Sequence, residues 1–303
     1  MELLLAVVLA PLLAGIVRRT KAAVAGRRGP PLLQAYRDLR KLCAKSTVYS
    51  RTTTWVFRAA PVLGVAGLLA ALALVPAGRL PAALSFPGDF VLLVYLLAAV
   101  RFAMALAALD TGSSFEGMGA SREMAFGVLA ELALLLALAS LVRTSGGAWS
   151  LAEITRSLAL GAWLDSGGLL LLVAAALFGI LLVENARIPF DDPTTHLELT
   201  MIHEAMVLDH GGPDLAAIEL ASMLKLWLFA GLLVGIVAPV HTASAWIDLA
   251  AHTAGVFAVG IAVGLVESAM ARLPLPRVPQ ILLALALLAL LSVALAPDLV
   301  LPS

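Results

Sequence analysis

Eight runs of mainly apolar residues decide what this chain can become: residues 2–17, 55–76, 88–109, 124–142, 166–184, 221–240, 245–267 and 279–297. A helix needs about 20 such residues to cross a bilayer. In hydrocarbon every backbone N–H and C=O has to be satisfied within its own segment, so runs of this length predict helices. Pro, Gly or charged clusters punctuate most of the gaps between them. The expectation is an all-α integral membrane protein of about eight transmembrane helices, folded as a single membrane domain over residues 1–303. Only 13% of residues are charged, about half the share in a soluble domain. The first run, MELLLAVVLAPLLAGIVRR, places its apolar residues before its charges, the reverse of a signal peptide, and reads as a retained helix.

Basic residues then assign a side to each loop. Residues 18–54 hold ten Lys/Arg, and the third, fifth and seventh loops add Arg122, Arg187, Arg272 and Arg277. The second, fourth and sixth loops hold Arg79, Arg143 and Arg156. This asymmetry puts both termini outside and the odd-numbered loops in the cytoplasm. Net charge is zero and no basic arm is present, so nucleic acid is not an expected partner. Cys43 is the one cysteine, which excludes an internal disulfide and an iron–sulfur ligand set in this chain.

The fifth loop, residues 185–220, is acidic. Between Val183 and Gly212 stand Glu184, Asp191, Asp192, Glu198, Glu204 and Asp209, with Asp214 and Glu219 just beyond, three histidines, and Arg187 as the only basic residue. Glu184 and Arg187 are three apart, a spacing that pairs side chains on a helix. Pro189 breaks that helix, and Asp192-Pro193 reads as an N-cap with Pro at the first helical position. A second helix is expected over residues 194–208, with His196, Thr200 and His203 on one stripe and Leu197, Met201, Ala205 and Leu208 on another. Carboxylates at a membrane boundary are candidates for proton or ion relays; the plainer alternative is a solvated acidic loop. A metal site is not expected, because His203-Glu204 lacks the second His of HExxH and His196 lies seven residues from His203.

Arg101, Glu131 and Lys225 fall inside apolar runs, where an unpaired charge is costly. Glu131 is the expected partner of Arg101, Lys225 is expected to reach Glu219 or a fifth-loop acid, and Glu267 is expected to pair with Arg272. Residues 31–45 read as an amphipathic helix in the interface, Leu32, Leu33, Tyr36, Leu39 and Leu42 alternating with Arg37, Asp38, Arg40 and Lys41. Gly112, Gly117 and Gly119 suggest a tight turn in the third loop. Trp55, Trp149 and Trp246 stand at span ends, as interfacial anchors do.

These residues carry a resemblance. ENARIPFDDPTTHLELT resembles the ExxRxPFDxPExExELV signature of the subunit-1 family of respiratory complex I. GPPLLQAYRDLRKL is similar to that family's first loop, approximately GPxGxLQPxxDxxKL, and the eight-span layout agrees. GSSFEGMGASREMAFGVLAELALLLAL and THLELTMIHEAMVLDHGGPDLA look closer to the homologous membrane subunit of group 4 NiFe hydrogenases and formate hydrogenlyases. ESAMARLPLPRVPQILL completes a match over nearly the whole chain.

The resemblance implies a complex I subunit-1-like fold in a bacterial or archaeal cytoplasmic (inner) membrane. It implies a non-catalytic subunit that links a cytoplasmic redox arm to antiporter-like membrane subunits. Iron–sulfur clusters, and a NiFe centre in a hydrogenase-like arm, would belong to the partners. It carries relay roles onto Glu184, Arg187, Asp191 and Glu198, with Arg122 and Glu131 after the third loop; Asp192, His196, His203, Glu204 and Lys225 complete the candidate proton relay. It places Arg28, Gln34, Arg37, Asp38 and Lys41 at the redox-arm interface. Thr194 and His196 replace the acids that follow PFDxP in quinone-reducing relatives, and Asp209-His210-Gly211-Gly212 replaces Glu-Tyr-Ser-Gly. Both departures weigh against a quinone headgroup site. Two alternatives stay open: the quinone-chamber subunit of an NADH- or ferredoxin-quinone oxidoreductase, and a stand-alone secondary transporter, although no inverted repeat is visible.

Overall fold

The computed structural model describes residues 2–78, 80–158, 160–191, 202–240, 242 and 244–296. Within them the chain runs α1 (Glu2–Val24), α2 (Gln34–Cys43), α3 (Trp55–Leu72), α4 (Asp89–Asp110), α5 (Ser114–Thr144), α6 (Leu151–Ser157), α7 (Leu160–Glu184), α8 (His203–Met206), α9 (Gly212–Val237), α10 (Ala245–Ala269) and α11 (Val278–Leu295), with one 3-10 turn at Leu275–Arg277. Eight of the described helices are long and apolar enough to cross a membrane, one for each apolar run of the sequence. The chain is a multi-pass membrane protein.

Two of the spans start well before their apolar runs. α5 starts at Ser114 rather than near 124, and α9 at Gly212 rather than near 221. Gly112 (φ 71°) and Gly212 (φ 57°) take the left-handed conformation just before or at these starts, a conformation glycine adopts without penalty. Gly117 and Gly119 lie inside α5, so the expected loop turn is confined to Gly112. A Cβ on Gly119 would stand 2.9 Å from the Ala205 methyl, so the missing side chain lets α8 rest on α5.

The helices form two groups. α9 is enclosed by α1, α2, α3, α7 and α10, and α5 packs against α4, α7, α8 and α11; α7 touches both groups, and α3 packs on α4 between them. α9 is buried around most of its circumference, the pattern of a helix that is apolar on every side and sits in the middle of a bundle. Close helix approach in lipid relies on small residues: Gly260 and Gly264 of α10 press on Leu13 and Thr20 of α1. Asp110 of α4 caps α3, accepting from Thr54 N at 2.6 Å and Phe57 N at 3.3 Å.

α2 is amphipathic as expected, but it is docked rather than free in the interface. It packs on α1 and α9, Ala35 is buried, and the Tyr36 hydroxyl donates to the Val8 carbonyl of α1. Leu39 and Leu42 are half-buried with it, while Leu32 and Leu33 stay exposed. Trp55, Trp149 and Trp246 are exposed at span ends.

Candidate functional site

Glu184 is the last residue of α7 and is buried to 8% exposure. The helix stops there because Ala186 adopts φ 47°, a region uncommon for a residue with a Cβ. The turn separates the two charges that i, i+3 spacing brings together on a continuous helix. Glu184 pairs instead with the Arg101 guanidinium of α4, and with Lys225 Nζ of α9 at 2.7 Å. Arg187 faces Glu267 Oε1 of α10 at 3.4 Å. Lys225 therefore reaches a fifth-loop acid, and its partner is Glu184 rather than Glu219.

Arg101 is held by three carboxylates. Glu131 of α5 pairs with it as expected, and Glu123, two turns earlier on the same helix, lies 3.5 Å from Nε. Gly127 stands midway between them, and a Cβ there would fall 2.5 Å from Nη1 of Arg101. The pattern Glu-x3-Gly-x3-Glu therefore presents two acids across a gap shaped for a guanidinium. Glu123 was missed in the sequence. Its signal was the eight-residue repeat on one helix face with a glycine at the centre.

With carboxylates ionised and bases protonated, Glu123, Glu131 and Glu184 carry three negative charges against two positive ones on Arg101 and Lys225, leaving the group at −1. A neighbouring group has the opposite excess. Glu267 meets Lys21 Nζ at 2.9 Å and Arg187 Nη1 at 3.4 Å, two positive charges on one carboxylate. The expected Glu267–Arg272 pair does not form, because α10 ends at Ala269 and Met270 is extended (φ −104°, ψ 140°). Arg272 Nη2 instead meets Asp191 Oδ1 at 2.8 Å, and Asp191 Oδ2 accepts from His203 N at 3.2 Å.

Two cavities lie against these groups. One, of about 660 Å3 with open solvent included, is lined by Arg101, Glu123, Glu184, Lys225 and His203 together with Pro61, Leu68, Met104 and Ile218. The second, about 940 Å3, reaches Lys21, Arg187, Glu204 and Glu267. Asn185, Ala186, His203, Ile218 and Ser222 line both. Arg122 sits a turn outward on α5, its Nη2 3.1 Å from Met118 Sδ.

Asp192, His196 and Glu198 lie outside the described residues, as does most of the helix expected over 194–208. The described end of that segment, α8, is helical only from His203 to Met206, and Leu208 is exposed rather than part of an apolar stripe. Beyond it His210 is buried and stacks on Phe57, ring centroids 3.9 Å apart. Burial pushes its imidazole below the ordinary histidine range. On α2, Gln34 Nε2 donates to Asp38 Oδ1 at 2.7 Å, and Asp38 lies 3.8 Å from Arg18. Arg28, Arg37 and Lys41 are exposed beside them. Among the described residues no three His, Cys, Asp or Glu side chains gather as a metal site.

Comparison with known proteins places these features among relatives. The family model described as NADH dehydrogenase matches residues 1–297. Formate hydrogenlyase subunit 4 of Escherichia coli (strain K12) is 32% identical over 284 residues, covering 90% of this chain and 89% of the relative. Hydrogenase-4 component C of the same organism is 34% identical over 231 residues, 76% of this chain and 71% of the relative. Among solved structures, a chain of the membrane-bound sulfane sulfur reductase, an archaeal respiratory membrane complex, superposes with a TM-score of 0.80 over 97% of both chains at 19% identity. That last likeness speaks for the fold.

Proposed function

The chain belongs to the NADH dehydrogenase family, that of complex I subunit 1, and from that premise we propose that it couples a redox arm to ion translocation in a group 4 hydrogenase or formate hydrogenlyase-like complex. Its relatives are membrane subunits of such multisubunit complexes, which supports partner subunits in general. The specific partners of this reading are a hydrogenase- or complex I-like arm, holding the iron–sulfur and NiFe centres, and antiporter-like membrane subunits. The acidic loop faces the arm in the cytoplasm, with Arg28, Gln34, Arg37, Asp38 and Lys41 beside it, and both termini lie outside an inner membrane.

One observation carries the relay: the group Glu123–Glu131–Glu184 with Arg101 and Lys225, buried at Arg101 and Glu184 and half-buried at the rest, holds one negative charge in excess. One proton makes it neutral, and a charge in low dielectric is expensive. Arg101 or Lys225 shifting from one carboxylate to another redistributes that need. A carboxylate's affinity for protons follows the distance of its cation. Arg187 and Glu267, Asp191 and Arg272 join this group to the loop, where Asp192, His196, Glu198, His203 and Glu204 continue the path. A change at the arm that moves the loop therefore moves protons.

Glu184→Gln tests this directly. The complex is expected to assemble and keep its redox activity with artificial acceptors, while ion pumping is lost. Pumping that survives Glu184→Gln and Glu198→Gln overturns the relay. Mild-detergent affinity purification through this subunit tests the assembly. Hydrogenase-like, iron–sulfur and antiporter-like chains are expected with it, and a lone chain active in transport sinks the reading.

The cavity beside Arg101 supports a second reading, a quinone chamber, because its lining combines apolar side chains with Arg101, Glu184 and Lys225. Quinone copurifying with the complex favours it.

A further inference from the structure

At the face opposite the acidic loop, the segments joining α3 to α4, α5 to α7 and α9 to α10 converge on one side chain. His252 lies seven residues into α10, so it sits about 10 Å below the helix start. It is 7% exposed. A Cβ on Gly231 of α9 would stand 3.5 Å from its Nε2, so that glycine makes room for the ring. Among the described residues its imidazole meets no hydrogen-bond or ion-pair partner. Buried polar groups without partners are rare, and each points to something that comes and goes.

The ring lines a pocket of about 310 Å3, open solvent included, with Asp248, Thr155, Gly78, Gly235 and Pro239. Asp248, one turn nearer the surface on the same helix face, is fully buried and accepts from Thr242 N at 2.8 Å and Thr242 Oγ1 at 2.6 Å. The cavity also meets the C-terminal end of α9, Ala238 included, where unpaired carbonyls concentrate negative potential. Asp248 and the carbonyl end of α9 are the pocket's negative features, set against the cost of charging a ring only 7% exposed.

We propose that His252 is a proton-binding group at the floor of an aqueous vestibule on this far face, with Asp248 as the counter-ion of the protonated ring. In this reading water comes from the far face, because between Gly231, beside the ring, and Lys225 the α9 residues Leu226, Trp227, Leu228, Phe229 and Ala230 are apolar and buried. No other charged group lines the pocket among the described residues. On α6 Glu153 and Arg156 are exposed, Asp165 of α7 is exposed, and Asp89 of α4 is occupied by Ser150 Oγ and Leu151 N. Residues 3–17 of α1 carry no charge, while Arg79 and His241 lie outside the described residues. The subunit thus holds a second titrating site, separated from the Glu184 group by a dry stretch of α9.

This inference does not rest on the relay at Glu184. Histidine C2 hydrogen–deuterium exchange, read peptide by peptide by mass spectrometry on the wild-type complex, tests it without mutation. His252 is expected to exchange along a sigmoidal rate–pH curve, and loss of exchange at every pH shows a sealed structural histidine and overturns the proposal. Access is tested in the Cys43→Ser/His252→Cys subunit, assembled in oriented vesicles. A membrane-impermeant cationic methanethiosulfonate is expected to label it from the far face, and faster than its anionic counterpart. Labelling from the acidic-loop side, or equal rates for the two reagents, contradicts the assigned pocket. If Glu184→Gln leaves pumping intact while His252 still titrates, the relay falls and this site stands.

Discussion

Gly127 shows how little side chain a charged site in a membrane can spare. A methyl there meets the Arg101 guanidinium at 2.5 Å, between two carboxylates that fix where the guanidinium sits. Gly127→Ala is expected to destabilise the subunit by about 1–3 kcal/mol, the usual cost of overpacking, and to weaken ion pumping, read as a lower midpoint in thermal unfolding of the purified complex. His210 gives a pH signature. Its folded imidazole resists protonation because it is buried against Phe57. The unfolded chain takes up that proton at about pH 6.5, so the folded state is favoured fully above that value and loses ground as pH falls below it. His210→Phe keeps the stack and removes the titration, so the fall in thermal stability between pH 8 and pH 5.5 is expected to shrink. At this scale the sequence announced the buried charges Arg101 and Glu184 and part of how they pair. Arg101–Glu131 was legible from depth alone. Glu184–Lys225 and Arg272–Asp191 depend on Ala186 and Met270 ending their helices, and backbone turns of that kind leave no mark in a charge pattern.

Helices, by contrast, were legible almost throughout, because twenty apolar residues in hydrocarbon have one economical conformation. Where the reading fell short, polar residues continue the helix past the apolar run. Residues 114–123 of α5 and 212–220 of α9 are helical yet carry acids and glycines, so hydropathy stops before the hydrogen bonds do. The contact of α1 with α10 rests on Gly260 and Gly264. Replacing both by Leu is expected to push α1 outward, taking Lys21 off Glu267 and undocking α2. Faster protease cleavage in residues 25–33 of the intact complex is the measurement, and unchanged cleavage shows that α1 is held elsewhere.

For the molecule as a whole, sidedness organises everything else. The basic first segment, the acidic stretch and the two larger cavities share one end of the bundle, and His252 occupies the other. Cys43 is exposed beside the basic helix, so an impermeant maleimide is expected to label it in inside-out vesicles of the assembled complex and to spare it in right-side-out ones. The opposite result inverts the topology.

The distribution of charge over α4, α5, α7 and α9 also bears on how the chain is made. Synthesis delivers Arg101 first, then Glu123 and Glu131, then Glu184, and Lys225 last. Each newly threaded helix after the first brings a charge whose opposite is already waiting in the bilayer. An arginine at mid-span costs about 2.5–3.5 kcal/mol during translocon-mediated insertion, and the α4–α5 hairpin relieves that burden within one helix of its appearance. Nascent chains ending after residue 112 are therefore expected to integrate α4 less completely than chains ending after residue 144, a difference that glycosylation mapping reads directly. The ion-pair group would then serve biogenesis before it serves transport, guiding its four helices into the lipid in the order in which the ribosome releases them.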